Sequence, residues 1–331
     1  NYLAQRADFN DHPPLGKLLI AAAIALLGDG SVAWRLPALL AGLGTIALGA
    51  WTASRLFRTP LAGALAAAML CADGFLIAYS RAALLDGYLA TCAIGVLLVA
   101  TLEWRPRTAM VGGLLAGLGL SIKFSGIALL APLGVSLALA TGTRGRRSAL
   151  ACLGLAVALA TYVAAYAVGL HIAAQPASIT HVFRETHRLY EHHAALTDMK
   201  HGLVSGWSGW WLPTRPIVLG YIEQGASIRA LSSLGNLAIW WSAVLLGLCA
   251  SWWVLVRGLT GVLGSAASDG VPFEPAGFVH ARGRAVVLVL TTVLAFLAPW
   301  VLTHRDSYVY HFLPSYAALI LSAAHDFISR P

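Results

Sequence analysis

His12-Pro13-Pro14-Leu15-Gly16-Lys17 places an imidazole and an ammonium on a stretch stiffened by two prolines, directly ahead of the apolar run at 18–27. Each proline fixes its own φ and pushes the residue before it to an extended conformation. Such a segment preorganises its neighbours for chemistry, or simply starts a helix with proline in the first turn. Asp8 and Asp11 flank Phe9-Asn10 just upstream. A carboxylate beside a rigid turn can take the proton of an attacking hydroxyl, and an exposed aspartate can equally cap a helix.

Five cations stand at the ends of apolar runs: Lys17, Arg35, Arg81, Lys123 and Arg305. A charge at a membrane boundary is costly unless it has a partner or a job. Lys123 lies in the compact turn Gly119-Leu120-Ser121-Ile122-Lys123-Phe124-Ser125-Gly126, where an ammonium suits a lipid phosphate. It could also be a snorkelling anchor. Arg81 precedes Asp86 by five residues, and an Arg81–Asp86 ion pair near the surface would be worth little. Taken together, the five are candidates for a phosphate or pyrophosphate cradle. No metal site is expected: His187 with His192-His193 is loosely spaced and neither HExxH nor CxxC occurs, although a divalent cation stays an open alternative. Nucleotide-binding glycine patterns are absent too, so a sugar or phosphate donor would be lipid-borne.

The elements that must position these groups are written in the composition. Of 331 residues, 58% are hydrophobic and only 11% charged, against about a quarter charged in a soluble domain. The reading is an all-α integral membrane protein, one transmembrane bundle over 1–331. Nine apolar runs, at 36–54, 61–79, 84–102, 108–122, 124–141, 149–170, 237–256, 285–303 and 312–326, are expected to span. Segment 15–28 is shorter and reads as interfacial or re-entrant, so 1–35 forms a first outer loop with an interfacial helix. Arginines recur in alternate connections, at Arg55/Arg58, Arg105/Arg107, Arg144/Arg146/Arg147 and Arg257/Arg282/Arg284. The positive-inside rule then puts those connections, including 258–284, in the cytoplasm. The candidate chemistry falls on the opposite, extracytoplasmic face of a multi-pass protein of the cell (cytoplasmic) membrane. Cys71, Cys92, Cys152 and Cys249 sit within apolar runs as small hydrophobes. The net charge of +8 is spread over many loops and makes no nucleic-acid patch.

The extracytoplasmic loop 171–236 carries six histidines, then Trp207, Trp210, Trp211 and Arg215-Pro216. Flexible linkers are rich in Gly and Ser and poor in aromatics, so this loop is expected to fold onto the bundle.

The motif at 12–17 resembles that of the protein O-mannosyltransferases. Further matches follow in the family's order: Arg35-Leu36-Pro37, Arg81 to Asp86, Gly117 to Gly126, His201 to Pro216, Gly235 to Trp241, and Arg305 to Pro314. The resemblance implies a GT-C fold and an inverting enzyme that moves mannose from a polyprenyl-phosphate carrier to Ser or Thr of a translocated protein. It implies a bacterial-type member, with the secreted acceptor protein, the bilayer and the translocon as partners. His12, Asp86, His201, Trp210, Trp211, Arg215, Tyr310 and His311 become supporting or acceptor-side residues. The family's Asp-Glu pair, expected upstream of the His-Pro-Pro motif, has no counterpart here; the chain reads as lacking the first helix, and Asp8 and Asp11 are only weak substitutes. Open alternatives are a GT-C transferase that glycosylates a lipid, of the aminoarabinose and lipid A type, a polyprenyl-lipid transporter, and a catalytically inactive partner subunit.

Overall fold

The computed structural model describes residues 11–196, 204–225, 227–267, 277–303 and 306–329. All nine apolar runs are helical. The helices are α1 (Leu15–Leu27), α2 (Ser31–Phe57), α3 (Pro60–Ala72), α4 (Gly74–Arg81), α5 (Asp86–Ala100), α6 (Pro106–Ile122), α7 (Leu130–Ala138), α8 (Arg144–Ile172), α9 (Ile179–Ala194), α10 (Leu237–Ala267), α11 (Gly277–Leu302) and α12 (Leu313–Ser329). Three described helical segments are long and apolar enough to cross a bilayer, Ser31–Phe57, Arg144–Ile172 and Gly283–Leu302, or four if α3 and α4 form one broken span. Helix occupies both ends of 258–284, since α10 runs to Ala267 and α11 begins at Gly277.

Helix starts follow local chemistry. Thr59 caps α3 ahead of Pro60, Thr143 caps α8, and Ser178 caps α9, each hydroxyl accepting a first-turn N–H. The second apolar run is not one rod: α3 and α4 meet at a bend of 62°. Asp73 makes the break, being extended and capping α4 through the Leu76 N–H at 2.9 Å. Its other carboxylate oxygen accepts from the Tyr316 hydroxyl at 2.8 Å and the Asn236 N–H at 3.1 Å. One buried carboxylate thereby ties α4, α12 and the start of α10 together.

Helix α5 is buried along nearly its whole length and packs against α2, α6 and α12. Helices α6 and α8 approach backbone to backbone, since a Cβ on Gly113 would collide with the Gly154 carbonyl; small residues permit such contact where lipid supplies no hydrophobic drive. Outward-facing Leu26, Val32, Leu155, Leu159 and Leu245 are exposed, as suits side chains in contact with lipid.

The described parts of 171–236 carry secondary structure. They hold α9, a 3₁₀ turn at Trp207–Trp211, and an antiparallel hairpin of β1 (Val218–Gln224) and β2 (Ser227–Ser232). The Ser205 N–H donates to the Ser307 carbonyl at 2.9 Å and the Ser307 hydroxyl returns a bond to the Ser205 carbonyl at 2.9 Å. These bonds stitch the loop to the segment that leads into α12.

Candidate functional site

At one end of the bundle, the start of α1, the turn after α6, the start of α5 and helix α9 enclose a cavity of about 610 Å³. Pro13 and Pro14 are buried, and the Pro14 carbonyl accepts the Leu18 N–H at 2.9 Å, opening α1. A Cβ on Gly16 would run into the Leu85 side chain, so glycine lets α1 lie against the entrance to α5. The motif both starts a helix and presents His12 and Lys17 to the cavity.

Lys123 sits where α6 ends. Its extended backbone turns the chain into a 3₁₀ segment, Phe124–Leu129, and Gly126 packs so closely on Gly119 that a Cβ there would strike the Gly119 carbonyl. The Lys123 ammonium donates to both oxygens of Asp86, at 2.8 and 3.0 Å. Both residues are buried, at 5% and 4% exposure. The same ammonium lies 4.8 Å from the centre of the Tyr310 ring, within cation–π range. Asp86 therefore pairs with Lys123. Of the two structural alternatives for Arg81, the ion pair with Asp86 is not formed: Arg81 ends α4 on an exposed face, whereas Asp86 opens α5 facing inward.

Lys17 has its own carboxylate, Asp11, at 2.6 Å, and this pair is open to solvent. Partial burial pushes the Asp11 carboxyl up, but the Lys17 bond and the neighbouring charges outweigh it and hold Asp11 below its usual range. His12 is pushed down to about 3, by burial first and then by the Lys123 charge. It is a neutral imidazole at physiological pH. A third pair was not foreseen: Arg188 donates to Glu185 at 2.6 Å on α9, and both line the cavity. Their i,i+3 spacing on an amphipathic stretch was the available signal. Towards α1 the wall turns apolar, with Ile20, Ala21, Ile24 and Trp34.

A second cavity of about 500 Å³ shares His12 and Lys123 with the first. Tyr190, His193, Trp300 and His311 form its far side, with the Trp300 and His311 rings 3.8 Å apart.

Of the expected cradle, Lys17 and Lys123 come together in one cavity with Tyr310, Asp86 and His12, whereas Arg35 and Arg81 are exposed and line neither cavity. Asp8, His201 and Arg305 lie outside the described residues. Trp210 lies in the core: it is 1% exposed, its indole donates to the Ser205 carbonyl at 3.0 Å, and its ring packs near Trp300 and Phe312. Trp211 packs on Phe312 and its carbonyl accepts from Trp240. Arg215 bonds the Val204 carbonyl, a strap within the loop. Among the described residues no group of three or more His, Cys, Asp or Glu side chains is placed to hold a metal ion.

Two family models match in succession. Residues 11–166 match "Dolichyl-phosphate-mannose-protein mannosyltransferase", and residues 179–329 match "C-terminal four TMM region of protein-O-mannosyltransferase". The chain belongs to the protein O-mannosyltransferase family. Membership and the apolar helices make it an integral membrane protein. Relatives named polyprenol-phosphate-mannose–protein mannosyltransferase are 27% identical in Mycobacterium tuberculosis, over 74% of this chain and 60% of the relative. Another, from Mycolicibacterium smegmatis, is 28% identical over 74% of this chain and 61% of its own length. The chain thus spans about three fifths of the curated relatives it matches.

The fold is that of GT-C membrane glycosyltransferases. It matches the Saccharomyces cerevisiae Pmt1-Pmt2 complex bound to the sugar donor with a TM-score of 0.81 at 13% identity, covering 98% of this chain and 79% of that one. ArnT from Cupriavidus metallidurans bound to undecaprenyl phosphate matches with a TM-score of 0.62 at 17% identity, covering 97% and 50%.

Proposed function

We propose that this protein transfers mannose from a polyprenyl-phosphate carrier to a Ser or Thr hydroxyl of a secreted protein, at the extracytoplasmic face of the cell membrane. The single observation that carries the reading is the cavity itself: apolar along α1, and ending at a tyrosine ring and two lysines, each held by an aspartate. A polyprenyl phosphate has that same division between hydrocarbon and anion. Family membership and the names of the mycobacterial relatives support mannose as the sugar and protein as the acceptor. The arginines of the alternate connections support the assignment of sides.

In the reaction, the acceptor oxygen forms a bond to the anomeric carbon with inversion while the bond from that carbon to the phosphate oxygen breaks. The electron pair leaves with the phosphate, and the hydroxyl proton passes to a carboxylate, a transfer typically worth about 10²–10⁴-fold. The phosphate leaves without protonation, so its growing charge needs fixed cations. Lys123, held by Asp86 and Tyr310, is preorganised for that role. His12, neutral between the two cavities, is placed to donate or accept a hydrogen bond without adding charge.

The test is transfer from polyprenyl-phosphate mannose to a Ser/Thr peptide by the full-length protein in nanodiscs. Mannosylated peptide, largely lost in Lys123→Ala, is the expected result. Undiminished transfer in Lys123→Ala would overturn the phosphate role, and a glycosylated lipid with unmodified peptide would transfer the protein to the lipid-modifying class that the ArnT likeness represents.

A further inference from the structure

Each of three cations on the cavity wall already has a carboxylate: Lys17 has Asp11, Lys123 has Asp86 and Arg188 has Glu185. Two of these pairs differ sharply in exposure. The side chains of Lys17 and Asp11 are 39% and 54% exposed, those of Lys123 and Asp86 only 7% and 6%. An exposed pair is worth a factor of about five at most, whereas parting a buried pair costs more than about a hundredfold because a charge is stranded. An incoming anion can therefore take Lys17 from Asp11, and cannot take Lys123 from Asp86.

We propose that Asp11 is an exchangeable counter-ion: it holds Lys17 in the empty site, yields it to the donor phosphate, and reclaims it to expel the product. The inference rests on the donor reading above and adds a role for Asp11 that is neither base nor nucleophile. The donor is a phosphodiester with one negative charge. Once the bond to the sugar breaks, the leaving oxygen keeps the electron pair and the product is a phosphomonoester carrying about −1.5 to −2 at neutral pH. Two lysines alone would hold this product more firmly than the donor, and turnover would stall. A carboxylate left beside Lys17 repels the more highly charged species more strongly, so it weakens product binding more than donor binding. Lys123, fixed by Asp86, stays in place to meet the charge as it develops.

Asp11 acts through Lys17 and is a positioning residue, so its test reads affinity instead of rate alone. Undecaprenyl phosphate is titrated onto the full-length protein in nanodiscs for the wild type and for Asp11→Asn, Asp11→Glu, Lys17→Ala and the Lys17→Ala/Asp11→Asn double variant. Removing the competitor charge is expected to tighten binding by about two- to fivefold in Asp11→Asn and to strengthen product inhibition accordingly. Asp11→Glu keeps the charge and stays near the wild type. Lys17→Ala weakens binding, and Asp11→Asn gives no gain in that background. Unchanged or weaker binding in Asp11→Asn, or an equal gain in Asp11→Glu, overturns the counter-ion role while leaving the donor reading intact. No transfer from polyprenyl-phosphate mannose by the wild type in the same nanodiscs overturns the donor reading and the inference with it.

Discussion

Lys123, which closes α6, and Asp86, which opens α5, meet at 2.8 Å although 37 residues separate them in sequence. The pair joins two helix ends and directs an ammonium at Tyr310 along the cavity wall. A buried pair of this kind adds little net stability compared with apolar residues of the same shape, yet it is costly to halve.

Removing one partner should therefore destabilise more than removing both. Lys123→Ala or Asp86→Ala alone is expected to lose about 3–5 kcal/mol, and the double variant less than the sum of the two. Transfer should fall at least about a hundredfold in every variant lacking Lys123, including the more stable double variant. Unfolding midpoints in detergent, set beside initial rates, separate the two effects. Additive stability losses would show that the two charges are not coupled.

Gly126 tests the turn that delivers Lys123. A methyl group there meets the Gly119 backbone, which has no flexible side chain to yield. Gly126→Ala should cost about 1–3 kcal/mol by overpacking and lower transfer by displacing the ammonium. Gly134→Ala is the control, since nothing lies within 4 Å of a Cβ at that position. Equal midpoints for the two variants would remove the steric argument.

What the sequence disclosed, it disclosed through patterns that local physics writes directly. Apolar runs mark the helices, and the motif residues His12 and Lys17 line one cavity with Lys123. Three other features depend on tertiary partners that no local pattern names. Asp73 breaks an apolar run because Tyr316 and Asn236, far away in sequence, satisfy its carboxylate. Asp86 chose the remote Lys123 over Arg81 because the chain between α4 and α5 turns Asp86 inward and leaves Arg81 exposed. Glu185 and Arg188 became cavity residues only because α9 folds back over α8, with Val182 packed beside Tyr162 and Tyr166.

His12 gives the site a pH dependence with a definite sign. Its folded-state value of about 3 lies below the unperturbed value of about 6.5, so the unfolded chain binds the proton more readily. The stability it contributes is complete above about pH 6.5 and is lost as pH falls towards 3. Between pH 6.5 and 4.5 this should remove about 1–3 kcal/mol. In His12→Asn the same acidification should cost measurably less. Parallel pH profiles for the two proteins would mean that other groups carry the acid sensitivity.

Trp210 decides whether the Trp-rich loop is a scaffold or an acceptor surface. Its indole and the Ser307 hydroxyl donate to the same Ser205 carbonyl, and its ring lies 6.0 Å from Trp300 and 5.9 Å from His311. Trp210→Ala leaves that carbonyl bonded to Ser307 but opens a hole between the loop and the segment bearing Tyr310. The expected loss is about 3–5 kcal/mol, as for other large aromatic deletions in cores. At a temperature where the variant stays folded, KM for the acceptor peptide should remain within about twofold while kcat falls, because Tyr310 is no longer braced. A KM raised more than about tenfold with an unchanged unfolding midpoint would instead make Trp210 an acceptor contact, and the buried ring would have to come to the surface to bind it.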